Sequence, residues 1–166
     1  MLQNLTDLGD FATRLGLRLC IENLARGWTS RPLLFERILT ESSLWGTLDI
    51  GHAQVCASVR TRLHAVEDFV EPHRARFLNA HVYHEETIDG HVPPQTTADV
   101  ADRLSLLLSL PLCSWWVLEL RQEASLLKTL SVVRSFLQSR TETAYGNCTN
   151  QAPMNIPSQS FRRAAG

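Results

Sequence analysis

A chain of 166 residues with 44% hydrophobic and 20% charged side chains suits one globular domain with a substantial core, not a disordered or fibrous protein. The formal net charge of -1 argues against an electrostatic nucleic-acid binder, whose affinity rests on clustered Lys and Arg. No apolar run of about eighteen residues and no basic-then-apolar start occur, so neither a membrane span nor a signal peptide is expected and the protein reads as cytoplasmic.

The first element, residues 2–15, carries apolar side chains at 2, 5, 8, 11, 12 and 15, a helical stripe that Gly16 can close. A strand over 17–21 follows. Pro32 opens a second helix whose Leu33, Leu34, Ile38 and Leu39 share a face, and 45–50 reads as a second strand. Val55, Val59, Leu63, Val66 and Val70 predict a helix over about 53–70, before a third strand over 77–83.

Residues 84–97 form a polar loop longer than such connections usually are, with Asp89-Gly90 and Pro93-Pro94 inside it. Thr97 can cap a helix through 108, Pro111 interrupts it, and a strand over 115–120 leads to a helix over about 124–137. Beyond Ser139 the composition turns to Thr, Asn, Gln, Pro and Ser, so 139–166 is expected to be a disordered tail. Cys20, Cys56, Cys113 and Cys148 form no CxxC pair, which excludes a zinc ribbon, and the first three read as buried thiols.

Four apolar runs each end in a residue able to bind metal: Glu22, Asp49, His81 and Glu119, spaced by 27, 32 and 38 residues. A strand-loop-helix-loop unit needs about 30 residues or more, so each ligand falls at the same place in successive units. The carboxyl ends of parallel strands share one rim, where these side chains can converge. Three carboxylates and an imidazole make an oxygen-rich set suited to Mn, Mg, Co or Zn. Gly51 would let His52 fold back over the rim, and Asp89 and His91, two apart, can point inward from one extended segment; with His52 they could take a second cation or substrate. His84 and Glu85 read as solvated loop residues.

The segments Cys20-Ile-Glu-Asn-Leu24, Leu48-Asp-Ile-Gly-His52, Ala80-His-Val-Tyr83, Asp89-Gly-His-Val-Pro93 and Leu118-Glu-Leu120 resemble, in order and spacing, successive strand-end motifs of the xylose isomerase-like TIM barrels. That superfamily holds sugar phosphate isomerases and epimerases and the AP endonucleases. The resemblance implies an α/β fold in which 1–138 is the later half of such a barrel. It implies shared metal ligands at Glu22, Asp49, His81 and Glu119, with further metal or substrate positions at His52, Asp89 and His91. The epimerase branch implies Glu22 and Glu119 as an acid/base pair moving a proton alpha to the carbonyl of a sugar or sugar phosphate through an enediolate. Arg121, on Glu119's side of its strand, would hold a substrate hydroxyl or phosphate. The endonuclease branch implies a metal-dependent phosphodiesterase instead, and a third expectation is a non-catalytic remnant.

Two departures qualify the resemblance. A TIM barrel needs eight strands and four are visible, so the chain reads as a truncated product, a half-barrel that self-associates, or one that joins a complementing half-barrel, the first being preferred. Pro93-Pro94 stands where a glycine-containing turn commonly follows the loop histidine, which alters the metal geometry expected there.

Overall fold

Asp49 decides where the second strand ends and the next helix begins. In the computed structural model, which describes residues 2–146, its Oδ1 accepts the His52 backbone N–H at 2.7 Å and caps the helix that starts at Ile50. The elements in chain order begin with α1 (Leu2–Arg14), β1 (Cys20–Glu22), α2 (Pro32–Glu41), β2 (Trp45–Asp49), α3 (Ile50–Val55) and α4 (Ala57–Arg60). They continue with β3 (Phe77–Val82), β4 (Glu85–Thr87), β5 (Gly90–Val92), α5 (Ala101–Leu108), β6 (Trp115–Leu118) and α6 (Glu123–Gly146).

Four strands form a parallel sheet in the order β1-β2-β3-β6, while β4 and β5 make a separate antiparallel hairpin. The protein is therefore α/β around a parallel sheet, as expected. Sheet neighbours follow chain order, the arrangement that right-handed crossovers produce when every connection passes over one face. The core lies on that face: Leu48, Phe77, Ala80 and Val82 pack with Phe35 and Leu39 of α2, Leu104 and Leu107 of α5, and Val133 and Phe136 of α6. The other face carries Cys20, Thr47, Asn79 and Trp115, with Trp115 69% exposed.

One irregularity sets the register at the rim. The pairing slips between Gly46 and Thr47, so Gly46 stands beside Phe77 while Asp49 aligns with His81. A β-carbon on Gly46 would lie 2.6 Å from the Phe77 ring, so the slip depends on glycine there.

Three expected elements differ in kind, while the strand expected over 17–21 is confined to Cys20–Glu22 and the helix expected through 108 begins at Ala101 after a 3-10 turn (Thr97–Asp99). The helix expected over 53–70 is two short helices and a 3-10 turn (Val66–Phe69), because Cys56 adopts an extended ψ of 148 degrees between α3 and α4 and Arg62 sits at a positive φ of 59 degrees. Its valine stripe is rich in β-branched residues, which favour helix weakly, and Leu63 is 74% exposed. The loop expected over 84–97 contains the β4–β5 hairpin, turned at Asp89-Gly90 with Gly90 at φ 115 degrees. The last helix continues past 139 to Gly146, so the first part of the expected tail is helical; residues 147–166, including Cys148, lie outside the described residues. No helix among the described residues is long and apolar enough to cross a membrane.

Candidate metal centre

Glu22 ends β1, Asp49 ends β2, His81 is the penultimate residue of β3, and Glu119 follows β6 directly. The parallel register carries all four to one end of the sheet, where one ligand atom from each lies within 4.8 Å of the others. His81 Nδ1 is 2.9 Å from Glu119 Oε2, 3.3 Å from Glu22 Oε1 and 3.5 Å from Asp49 Oδ2. Asp49 is fully buried. Among the described residues, Asp49 Oδ2, His81 Nδ1 and Glu119 Oε2 are shielded from solvent without a hydrogen bond.

Three carboxylates around one imidazole repel one another unless a cation stands among them. Buried polar atoms left without partners cost about 1–3 kcal/mol each, and here they face a common point. The donor set fits a divalent ion that accepts mixed oxygen and nitrogen ligands. Without metal, protons take over part of that task. The nearby carboxylates of Asp49 and Glu22 push the His81 imidazole up to about 10, against the opposing effect of burial. Burial alone would raise the Glu22 carboxyl, but the adjacent imidazoles of His52 and His81 outweigh it and hold the group far below the usual carboxylate range.

A second set adjoins the first. His52, Glu86 and His91 also bring one ligand atom each within 4.8 Å of the others. His52 Nδ1 lies 3.2 Å from the Asn23 carbonyl and 3.2 Å from Glu22 Oε1, while its Nε2 faces Glu86 Oε2 at 3.5 Å. Burial opposes charging of His52, yet Glu22, Asp49 and Glu86 push it up to about 9. His91 Nδ1 donates to the Glu119 carbonyl at 2.7 Å, an arrangement that leaves Nε2 free as a ligand and orients the ring.

The supporting residues are buried. The Asn23 amide bonds both backbone groups of Asp49, donating to its carbonyl at 2.9 Å and accepting its N–H at 2.8 Å. Tyr83 is fully buried and stacks on His91 with ring centroids 3.9 Å apart and planes 9 degrees from parallel. Its hydroxyl has no hydrogen-bond partner among the described residues, and burial, reinforced by the charge of Asp49, raises its pKa. Arg103, 7% exposed, donates to the carbonyls of Ile50 at 3.2 Å, His84 at 2.6 Å and Asp99. It thereby ties the start of α3 to the base of the hairpin.

The geometry thus unites Glu22, Asp49, His81 and Glu119, and brings His52 and His91 beside them. Asp89 is not among them. It is exposed at the hairpin turn and belongs to neither set, because the antiparallel register pairs His91 with Glu86 instead. Arg121 is exposed beyond β6 and also lies outside both sets. Glu86, Asn23, Tyr83 and Arg103 were not assigned from sequence; the Asp89-Gly90 dipeptide was the signal that could have located Glu86.

Fold and site together define an α/β protein with contiguous carboxylate-histidine clusters at the carboxyl end of a parallel sheet. Comparison with known proteins finds a similar chain, Uncharacterized protein MJ0008 of Methanocaldococcus jannaschii, 30% identical over 138 residues. The alignment covers 83% of this chain and 59% of that protein, so the chain spans about three-fifths of its relative's length. No family model matches the chain. No solved structure matches it either.

Proposed function

We propose that the chain carries the metal centre of a xylose isomerase-like (β/α) barrel, acting as a metal-dependent isomerase or epimerase on a sugar or sugar phosphate. The convergence of Asp49 Oδ2, His81 Nδ1 and Glu119 Oε2, shielded and without hydrogen bonds, on a point shared with Glu22 carries this reading. Glu22, Asp49, His81 and Glu119 would hold a divalent ion, which supplies Lewis-acid stabilisation of negative charge on substrate oxygens. Glu22 ends β1 and Glu119 follows β6, the two outer strands of the sheet, so the carboxylates reach the shared point from opposite sides, one to take a proton alpha to a carbonyl and the other to return it. Further strands, from additional chain or a complementing half-barrel, would extend the sheet from the free edges of β1 and β6.

The experiment combines metal analysis of the folded protein with solvent deuterium exchange alpha to a ketose carbonyl. One divalent ion at the rim and exchange abolished in Glu119→Gln are expected, since the amide keeps the shape of the carboxylate and removes the base. Undiminished exchange in that variant would exclude Glu119 from proton transfer. A folded protein that takes up no metal would point to the non-catalytic remnant.

The adjoining His52, Glu86 and His91 set favours one second reading, a phosphodiesterase in which paired cations hold the attacking and leaving oxygens. Cleavage of abasic DNA without ketose exchange would select it.

A further inference from the structure

A groove of about 2020 Å³ opens beside the second cluster, between the loop after β1, the helices α3 and α4, and the β4–β5 hairpin. It is larger than the roughly 300–1,000 Å³ of common small-molecule pockets. His52 and Glu86 line one part of it, so the groove reaches the second cluster.

Its lining is polarised. Arg26, Arg31 and Arg60 all border it, all are exposed, and among the described residues none of their guanidinium groups makes an ion pair or hydrogen bond. By contrast Arg37, Arg74, Arg76, Arg103 and Arg140 are each engaged with oxygen acceptors. The carboxylates of the lining, Glu85 and Glu86, both come from the hairpin strand β4. Trp28 also borders the groove and is 62% exposed, as is Ile88 at 95%.

We propose that this groove binds a ligand in which a sugar is joined through phosphate to a planar aromatic base, the class of nucleoside diphosphate sugars. Several free guanidiniums suit a diphosphate, whose oxygens accept forked, charge-assisted hydrogen bonds. The Trp28 indole offers a face on which a base can stack. The groove has room for such a ligand. The polarity also fixes direction: phosphate toward the arginines, sugar toward His52 and Glu86. The direction rests on the isomerase reading above, whereas the binding of the nucleotide part does not.

The test is calorimetric titration of the full chain, freed of metal by chelator, with uridine diphosphate, pyrophosphate and a short single-stranded oligonucleotide. Uridine diphosphate should bind, and Arg26→Gln/Arg31→Gln/Arg60→Gln should weaken it by about tenfold or more, as expected for loss of charged hydrogen bonds. Trp28→Ala should weaken uridine diphosphate several-fold and leave pyrophosphate unchanged. These residues are exposed and the arginines unpartnered, so thermal midpoint and metal uptake should match the parent protein. Absence of uridine diphosphate binding, equal binding by the triple variant, or preference for the oligonucleotide would overturn the proposal. Metal uptake and ketose exchange read the isomerase proposal separately, so either idea can fail alone.

Discussion

Glu86 stands directly opposite His91 across the β4–β5 hairpin, and this pairing turns the hairpin into one wall of the candidate metal centre. Opposed residues of an antiparallel pair share a face, so both side chains point toward His52. Asp89, three residues along, is carried to the exposed turn. Glu86→Gln should therefore weaken cation binding at the second cluster by at least about the ten- to hundredfold typical of losing even an outer-sphere partner. Asp89→Asn should leave it unchanged. Titration with Mn or Zn, monitored by calorimetry, separates the two; equal effects would remove Glu86 from the ligand set.

Gly51 holds the second constraint on that wall. A β-carbon there would lie 2.0 Å from the Tyr83 ring, which is fully buried and stacked on His91. The ring cannot swing into solvent, so Gly51→Ala should cost roughly 1–3 kcal/mol through overpacking. It should also displace His91 and weaken the second cluster more than the first. A thermal midpoint and second-site affinity matching the parent would show that Tyr83 relaxes without consequence.

The rim residues are legible because strand ends are marked twice, by an apolar run and by the polar residue that stops it. Glu22, Asp49, His81 and Glu119 needed only a parallel sheet with neighbours in chain order to meet, and the sheet has that order. Glu86 was not legible from residue type, since Asp89 and His91 two apart satisfy the same-face rule of an extended segment equally well. The Asp89-Gly90 turn overrides that rule by folding the segment on itself. Helical periodicity over 53–70 misled for a different reason. Asp49 caps a helix already begun at Ile50, and the extended Cys56 resets the phase, so Val66 and Phe69 reach the core from a separate turn.

Arg103 illustrates a buried cation that no helical pattern foretells. Its guanidinium satisfies the carbonyls of Ile50, His84 and Asp99, and so bonds the start of α3 to the residue that precedes the hairpin. Arg103→Met keeps the aliphatic stem but leaves those acceptors unpaired, at a cost of at least about 1–3 kcal/mol. The rim cluster is bonded to the hairpin at the Glu119 carbonyl, which accepts from His91, so its affinity for a cation should fall less than that of the second cluster, whose Glu86 and His91 both lie on the hairpin. Chemical denaturation gives the first quantity and metal titration the second; loss of rim binding in a folded variant would contradict this division.

Proton linkage supplies the last prediction, for the metal-free protein. His81 and His52 are raised from 6.5 to about 10 and about 9, so the folded state retains protons that the unfolded chain releases above 6.5. Their stabilisation is fully present below pH 6.5, declines through the interval, and is gone above about 10. Glu22 works at the other end: its pKa is lowered from 4.5, so its contribution is present above that value and is lost as pH falls further. Thermal midpoints of the chelated protein should therefore be highest between about pH 4.5 and 6.5 and fall on the alkaline side. Saturating Mn or Zn needs His81 deprotonated, so the metal-loaded protein should gain stability relative to the chelated one as pH rises toward 9. A chelated protein whose midpoint is flat between pH 6.5 and 10 would show that neither imidazole holds its proton against the solvent.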